Sequence, residues 1–102
     1  MEFEWGPKKR AETIAERHID FVDMIPAFAD PNRMVVEDQR NNYGEVRLNT
    51  IARGNGLLYH ITYTMRGDAI RIISARRANR KETRQYDGNR YRTGCADRRQ
   101  SL

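Results

Sequence analysis

The chain reads as one α+β domain, and three features carry that reading. Apolar residues recur at helical spacing up to Pro31, the period then changes to alternation, and Gly-containing turns divide the alternating half at regular intervals. Phe3-Glu4-Trp5 alternates as a short strand does, and Gly6-Pro7 ends it with a residue favoured at the first position of a helix. In that helix Ala11, Ile14, Ala15 and His18 fall at i, i+3, i+4 and i+7 and predict a narrow inward face. Asp20, with Asp23 one turn on, predicts the cap of a second helix with the stripe Phe21, Met24, Ile25 and Phe28, bent at Pro26 and ended by Asp30-Pro31. Four strands of an antiparallel meander follow: Arg33 to Asp38, Glu45 to Arg53, Leu57 to Met65 and Ala69 to Ala75. Their turns are Arg40 to Gly44, Gly54-Asn55-Gly56 and Arg66-Gly67-Asp68. Asn79 and Glu82 make an N-x-x-E capping pattern for a short last helix through Tyr86, ended by Gly88. The expected architecture is an antiparallel sheet of about four strands with helices covering one face, over residues 1–87, followed by a basic, mobile tail over 88–102.

Charge is distributed unevenly. Residues 1–30 hold four basic and seven acidic side chains, and residues 66–102 hold eleven and four, so the formal +5 is concentrated in the C-terminal third. Sixteen of the nineteen basic residues are Arg, whose planar guanidinium binds phosphate oxygens in pairs and stacks on bases. A polyanion is the natural partner, and RNA held on an open sheet face fits it. The longest uncharged stretch, Gly54 to Met65, is twelve residues, too short to span a bilayer as a helix. Glu2 and Glu4 stand where a secretory signal would need basic and then apolar residues. Cys95 is the single cysteine, so no internal disulfide forms and no zinc-ligand spacing exists; the cytoplasm is the expected compartment.

Several chemistries lack their parts. There is no phosphate-binding Gly-rich loop, no dinucleotide fingerprint and no nucleophile elbow, and the carboxylates cluster away from the basic half, so neither a cofactor nor a metal is expected. What the residues can supply is metal-free RNA cleavage, in which the 2′-hydroxyl attacks phosphorus while a base takes its proton and guanidiniums hold the phosphorane oxygens. His60 stands mid-strand, where a His is ordinarily a structural residue, yet an imidazole can take or give a proton near neutral pH; Tyr63, Glu45 or an arginine stays open as the base. His18 reads as structural. Arg76 and Arg77 end an apolar strand just before a helix N-terminus, an anion-binding position. Arg47, His60, Arg76 and Arg77 are the candidate catalytic residues, and Lys9, Arg53, Arg66, Arg80, Lys81 and Arg84 the candidate RNA-binding ones. A noncatalytic module holding RNA or an acidic partner through the same arginines stays open as the alternative.

Phe3-Glu4-Trp5 with Lys9, Ile19-Asp20-Phe21, Asp30-Pro31, Tyr43-Gly44-Glu45 with Arg47, and above all Arg71-Ile72-Ile73-Ser74-Ala75-Arg76-Arg77-Ala78 followed by Glu82 and Tyr86, resemble the BrnT toxins. Two positions depart from that pattern. Gly6 replaces an Asp, and with Trp5 and Phe21 in register Arg17 falls where the family usually has His while His18 falls on its Gly. The resemblance implies a RelE-like fold and an RNA-cleaving toxin that halts translation. It also implies a BrnA-type antitoxin carrying a ribbon-helix-helix DNA-binding domain, through which the complex reaches operator DNA. Such an antitoxin is expected to lay acidic and apolar groups over the basic half and to exclude RNA from it.

Overall fold

A computed structural model of the protein describes residues 1–39 and 44–90. The chain runs β1 (Glu2–Trp5), α1 (Pro7–Arg17), a 3-10 helix (Phe21–Ala29), β2 (Met34–Asp38), β3 (Arg47–Gly54), β4 (Leu57–Arg66), β5 (Ala69–Arg77) and α2 (Arg80–Arg90). The turn expected at Arg40 to Gly44, apart from Gly44, and the tail from 91 onward with Cys95 lie outside the described residues.

The meander from β2 to β5 is antiparallel at every pairing. The sheet has five strands rather than four and is mixed, because β1 lies parallel to β5 in the order β1-β5-β4-β3-β2. Burial explains the extra strand: pairing Phe3 with Ile70 and Trp5 with Ile72 sets Phe3 5.4 Å from the Phe28 ring and Trp5 6.2 Å from Phe21. Asn55 and Gly56, both at positive φ, join β3 to β4 in the two-residue turn that suits strand twist. On one sheet face Ala52, Tyr59, Ile61, Tyr63, Ile70, Ile72 and Ala75 pack beneath Ile19, Phe21, Met24 and Ala27. Gly54 lets the covering segment approach, since a Cβ there would lie 3.2 Å from Ala27.

Four helical expectations need correction. The covering segment is a 3-10 helix rather than an α-helix; Pro26 in its middle lacks the N–H that an α-helix would direct at the carbonyl of Val22. Ala11, Ile14, Ala15 and His18 are exposed, and α1 turns Arg10, Thr13 and Arg17 inward instead. The core beside it is already filled by the 3-10 segment, so α1 is tied down by polar contacts: Arg10 pairs bidentately with Asp20, both bonds 2.8 Å, and Arg17 Nη1 donates to the Ala75 carbonyl at 2.9 Å. The helices do not share one face, because α2 packs Tyr86 on Ile51 and Leu58 of the opposite face. Nor does Gly88 end α2; it lacks the positive φ of a left-handed cap, and the helix continues to Arg90.

Asp30 binds the layers together. Pairing of β2 with β3 stops at Met34 and Ile51, leaving the outer edge of Arg53 uncovered. Asp30 fills that edge: its Oδ2 accepts from the Arg53 N–H and from the Tyr86 hydroxyl, each at 2.8 Å, and its Oδ1 from the Asn32 N–H at 2.9 Å. Burial alone would raise the Asp30 pKa, but those donors and the Arg53 charge outweigh it and hold the carboxyl below its ordinary value. The Arg10 hydrogen bonds lower Asp20 further, to about 2.

Three outcomes follow from these contacts. Asp30→Ala strands the buried Tyr86 hydroxyl and the Arg53 N–H and is expected to cost about 3 kcal/mol in denaturant unfolding. Because the folded-state pKa values of Asp20 and Asp30 lie below the unfolded ones, the stability they contribute is complete above the ordinary carboxylate range. It is lost as pH falls through the lowered values, so unfolding free energy measured against pH should decline from 3.8 towards about 2. His18 holds φ 57°, the conformation that explains why Gly suits this position, and His18→Gly should raise stability by about 0.5 kcal/mol, read as an upward shift in Tm.

Candidate functional site

The face opposite the main core carries the site. Strand register sets two rows across it: Met34, Ile51, His60 and Arg76, and beside them Val36, Asn49, Thr62 and Ser74. Both rows pass from apolar side chains at the β2 edge to polar or charged ones at β5.

Arg76 belongs to this face because of a β-bulge. Thr62 stands opposite Ser74 and Tyr63 opposite Ile72, so Ile73 is an extra residue in β5 and reverses the alternation after it. Ile70 and Ile72 enter the core, whereas Ser74 and Arg76 turn to the outer face with His60 and Thr62. The same shift sends Arg77 to the core side, its guanidinium 5.9 Å from the centre of the Tyr59 ring.

The start of α2 supplies the acidic member. Asn79 and Glu82 form a reciprocal capping box: the Glu82 N–H donates to Asn79 Oδ1 at 2.8 Å and the Asn79 N–H to Glu82 Oε1 at 2.9 Å. That cap aims the Glu82 carboxylate back over β5, where it accepts from Arg76 Nη1 at 2.9 Å and Nη2 at 2.8 Å. His60 Nε2 lies 3.9 Å from Glu82 Oε2. The Arg76 hydrogen bonds, set against partial burial, keep the Glu82 carboxyl below its ordinary pKa, so it is ionised at neutral pH.

Among the described residues, three cavities bear on the site. One, about 340 Å³, is polar: His60, Arg76 and Glu82 meet Asn49, Thr62 and Ser74 there, and Arg17 enters from the end of α1. Arg17 gets there because β1 pairs only with residues 69–72, leaving the β5 edge open for it to bond the Ala75 carbonyl. A second, about 420 Å³, shares Asn49, His60 and Glu82 and is walled by Met34, Val36, Ile51 and Gln85. The third, about 230 Å³, gathers Lys9, Arg47, Arg66 and Arg71 near Gly6 and Glu45. Two of its arginines are ion-paired, Arg47 to Glu45 and Arg71 to Glu4, both at 3.2 Å.

The structure therefore divides the residues singled out in the sequence. His60 and Arg76 share one cavity; Arg47 stands in another with Lys9 and Arg66. Arg77 is on the opposite face. Arg53 lies at the β3–β4 hairpin end, its guanidinium 5.5 Å from the Tyr86 ring centre and bonded to the Gly56 carbonyl. Arg80, Lys81 and Arg84 are exposed on α2 and line none of the three cavities. Glu82, Ser74 and Arg71 were not singled out as site residues. The N-x-x-E cap pointed at Glu82, but only the fold brings that carboxylate to Arg76. Among the described residues no three His, Cys, Asp or Glu side chains converge to hold a metal ion, and no helix is long and apolar enough to cross a membrane.

No curated protein matches the chain. The family model described as the ribonuclease toxin, BrnT, of type II toxin-antitoxin systems matches residues 5–82, from Trp5 on β1 to Glu82 on α2. That span takes in β2 to β5, the last residue of β1 and each member of the polar cavity, and it places this protein in the BrnT family of ribonuclease toxins.

Proposed function

We propose that this BrnT-family toxin is a metal-independent endoribonuclease of RelE-like fold, acting in the cytoplasm, whose cleavage of RNA inhibits translation. The observation that carries the reading is the polar cavity in which His60 and Arg76 stand side by side on paired strands, with Glu82 against both and Arg17 at the rim. In this reading His60 takes the proton from the ribose 2′-hydroxyl. The 2′-oxygen bonds to phosphorus as the bond to the 5′-oxygen breaks, the leaving oxygen takes a proton from water while His60 returns its own to solvent, and the products are a 2′,3′-cyclic phosphate and a 5′-hydroxyl. Arg76 and Arg17 hold the phosphorane oxygens. A guanidinium has five N–H donors, so Arg76 bonded to Glu82 still has donors to offer. Lys9, Arg47, Arg66 and Arg71 form a phosphate track for the flanking strand. Arg53 and Arg77, each against a tyrosine ring, serve the fold. A BrnA-type antitoxin with a ribbon-helix-helix DNA-binding domain neutralises the toxin by covering the basic face and takes the complex to operator DNA.

Purified wild type should cleave RNA in EDTA and leave 2′,3′-cyclic ends. Arg76→Ala and His60→Ala should each lose roughly 10²-fold or more in turnover, with Arg76→Lys intermediate. Activity abolished by EDTA would restore a metal to the mechanism, and full activity in Arg76→Ala would remove that residue from it. A protein that binds RNA but never cleaves it would be a binding module.

A further inference from the structure

The second cavity is not explained by phosphate chemistry. Its walls at Met34, Val36 and Ile51 are apolar, and Val36 is 62% exposed although it belongs to neither core cluster. It is continuous with the cationic cavity, since Asn49, His60 and Glu82 line both. Crossing from the apolar residues of β2 to β5 spans three strand spacings, about 14 Å, enough for one nucleotide from base to phosphate. Along that path the sheet offers an apolar surface, then neutral polar groups at Asn49 and Thr62, then guanidiniums at Arg76 and Arg17. A nucleotide has the same order of chemistry in its base, its ribose and its phosphate.

Resting on the ribonuclease reading above, we propose that this apolar cavity is a base pocket, which seats the nucleobase beside the reacting phosphate and selects a keto base, guanine or uracil. Its size is that of a small-molecule site, about 420 Å³, with apolar walls at Met34, Val36 and Ile51 and polar groups at Asn49, His60, Glu82 and Gln85. A base splayed from single-stranded RNA buries its faces against Met34, Val36 and Ile51. Selectivity comes from Asn49. The Thr62 hydroxyl donates to its Oδ1 at 2.7 Å, which directs the amide NH2, a donor, away from Thr62. Guanine and uracil present a carbonyl oxygen at the position where adenine and cytosine present an amino group, and two facing donors repel.

The test titrates the purified full chain with the four nucleoside 3′-monophosphates and with ribose 5-phosphate, by calorimetry, and maps cleavage sites on a random-sequence RNA pool. Guanosine and uridine monophosphates should bind at least about tenfold tighter than ribose 5-phosphate and several-fold tighter than the adenosine and cytidine forms. Asn49→Ala should erase the keto preference, and Val36→Ser, at an exposed position, should weaken all four nucleotides while sparing ribose 5-phosphate. The pocket is overturned if nucleotides bind no better than ribose 5-phosphate, if none binds at millimolar concentration, or if both variants match wild type. Cleavage without base preference, with no base-dependent binding, leaves the ribonuclease standing and removes the pocket. Base-selective binding without any RNA cleavage keeps the pocket and removes the ribonuclease.

Discussion

The buried carboxylate of Asp30 is the contact on which the arrangement of the site depends. It closes the 3-10 segment on one side of the sheet, bonds the edge of β3, and holds the hydroxyl of Tyr86 from the other side. Tyr86 is the main apolar anchor of α2, and α2 brings Glu82 over β5. The position of the Arg76 guanidinium is thus linked, through one helix, to an aspartate at the opposite sheet edge. Burial raises the Tyr86 pKa and the hydrogen bond to Asp30 adds to it, so the phenol stays a donor across the physiological range.

A second constraint is the extra residue in β5. Strict alternation carried on from Ile70 and Ile72 would drive Ser74 and Arg76 into the core and bring Arg77 out beside His60. The bulge at Ile73 changes the face after it, so Ala75 enters the core, Ser74 and Arg76 face outward, and the guanidinium left on the core side is that of Arg77, at the exposed end of the strand. Bulges commonly re-aim a side chain beside a site, and here the residue re-aimed is the one that pairs with Glu82.

This marks where the sequence could be read and where it could not. Along β3 and β4 Asn49, His60 and Thr62 alternate in the sequence itself with Leu48, Tyr59, Ile61 and Tyr63, because period-2 patterning is a local property. Pro7, Asp20 and the Asn79–Glu82 box announced the helix starts for the same reason, since capping uses residues within one turn. The bulge has no such local mark: Ile72 and Ile73 are both good strand residues, and only pairing with Thr62 and Tyr63 reveals which is extra. The parallel docking of β1, 67 residues from its partner, is likewise a product of burial between distant segments. The helical stripe of α1 misled because amphipathic spacing shows that two faces differ, and which of them turns inward depends on what already fills the core. Separating Arg76 from Arg77 is beyond the sequence, as is separating Arg47 from Arg76.

The guanidiniums around the sheet are held in two ways. Arg47, Arg71 and Arg76 each pair with a carboxylate, and exposed pairs of this kind contribute at most about 1 kcal/mol to stability. Their effect on geometry is larger, because fixing a long Arg side chain costs up to about 2 kcal/mol of rotamer entropy that a bound phosphate would otherwise have to supply. Pairing sets the rotamer in advance, but it also offsets part of the positive charge. Arg17 is held differently, by the neutral carbonyl of Ala75. The cavity therefore combines a guanidinium fixed by a carboxylate with one fixed by the backbone. That division gives a physical reason for an arginine to stand at the end of α1, where the resemblance leads one to expect a histidine: at the open edge of β5, a long side chain with several donors can bond the strand and reach the cavity together.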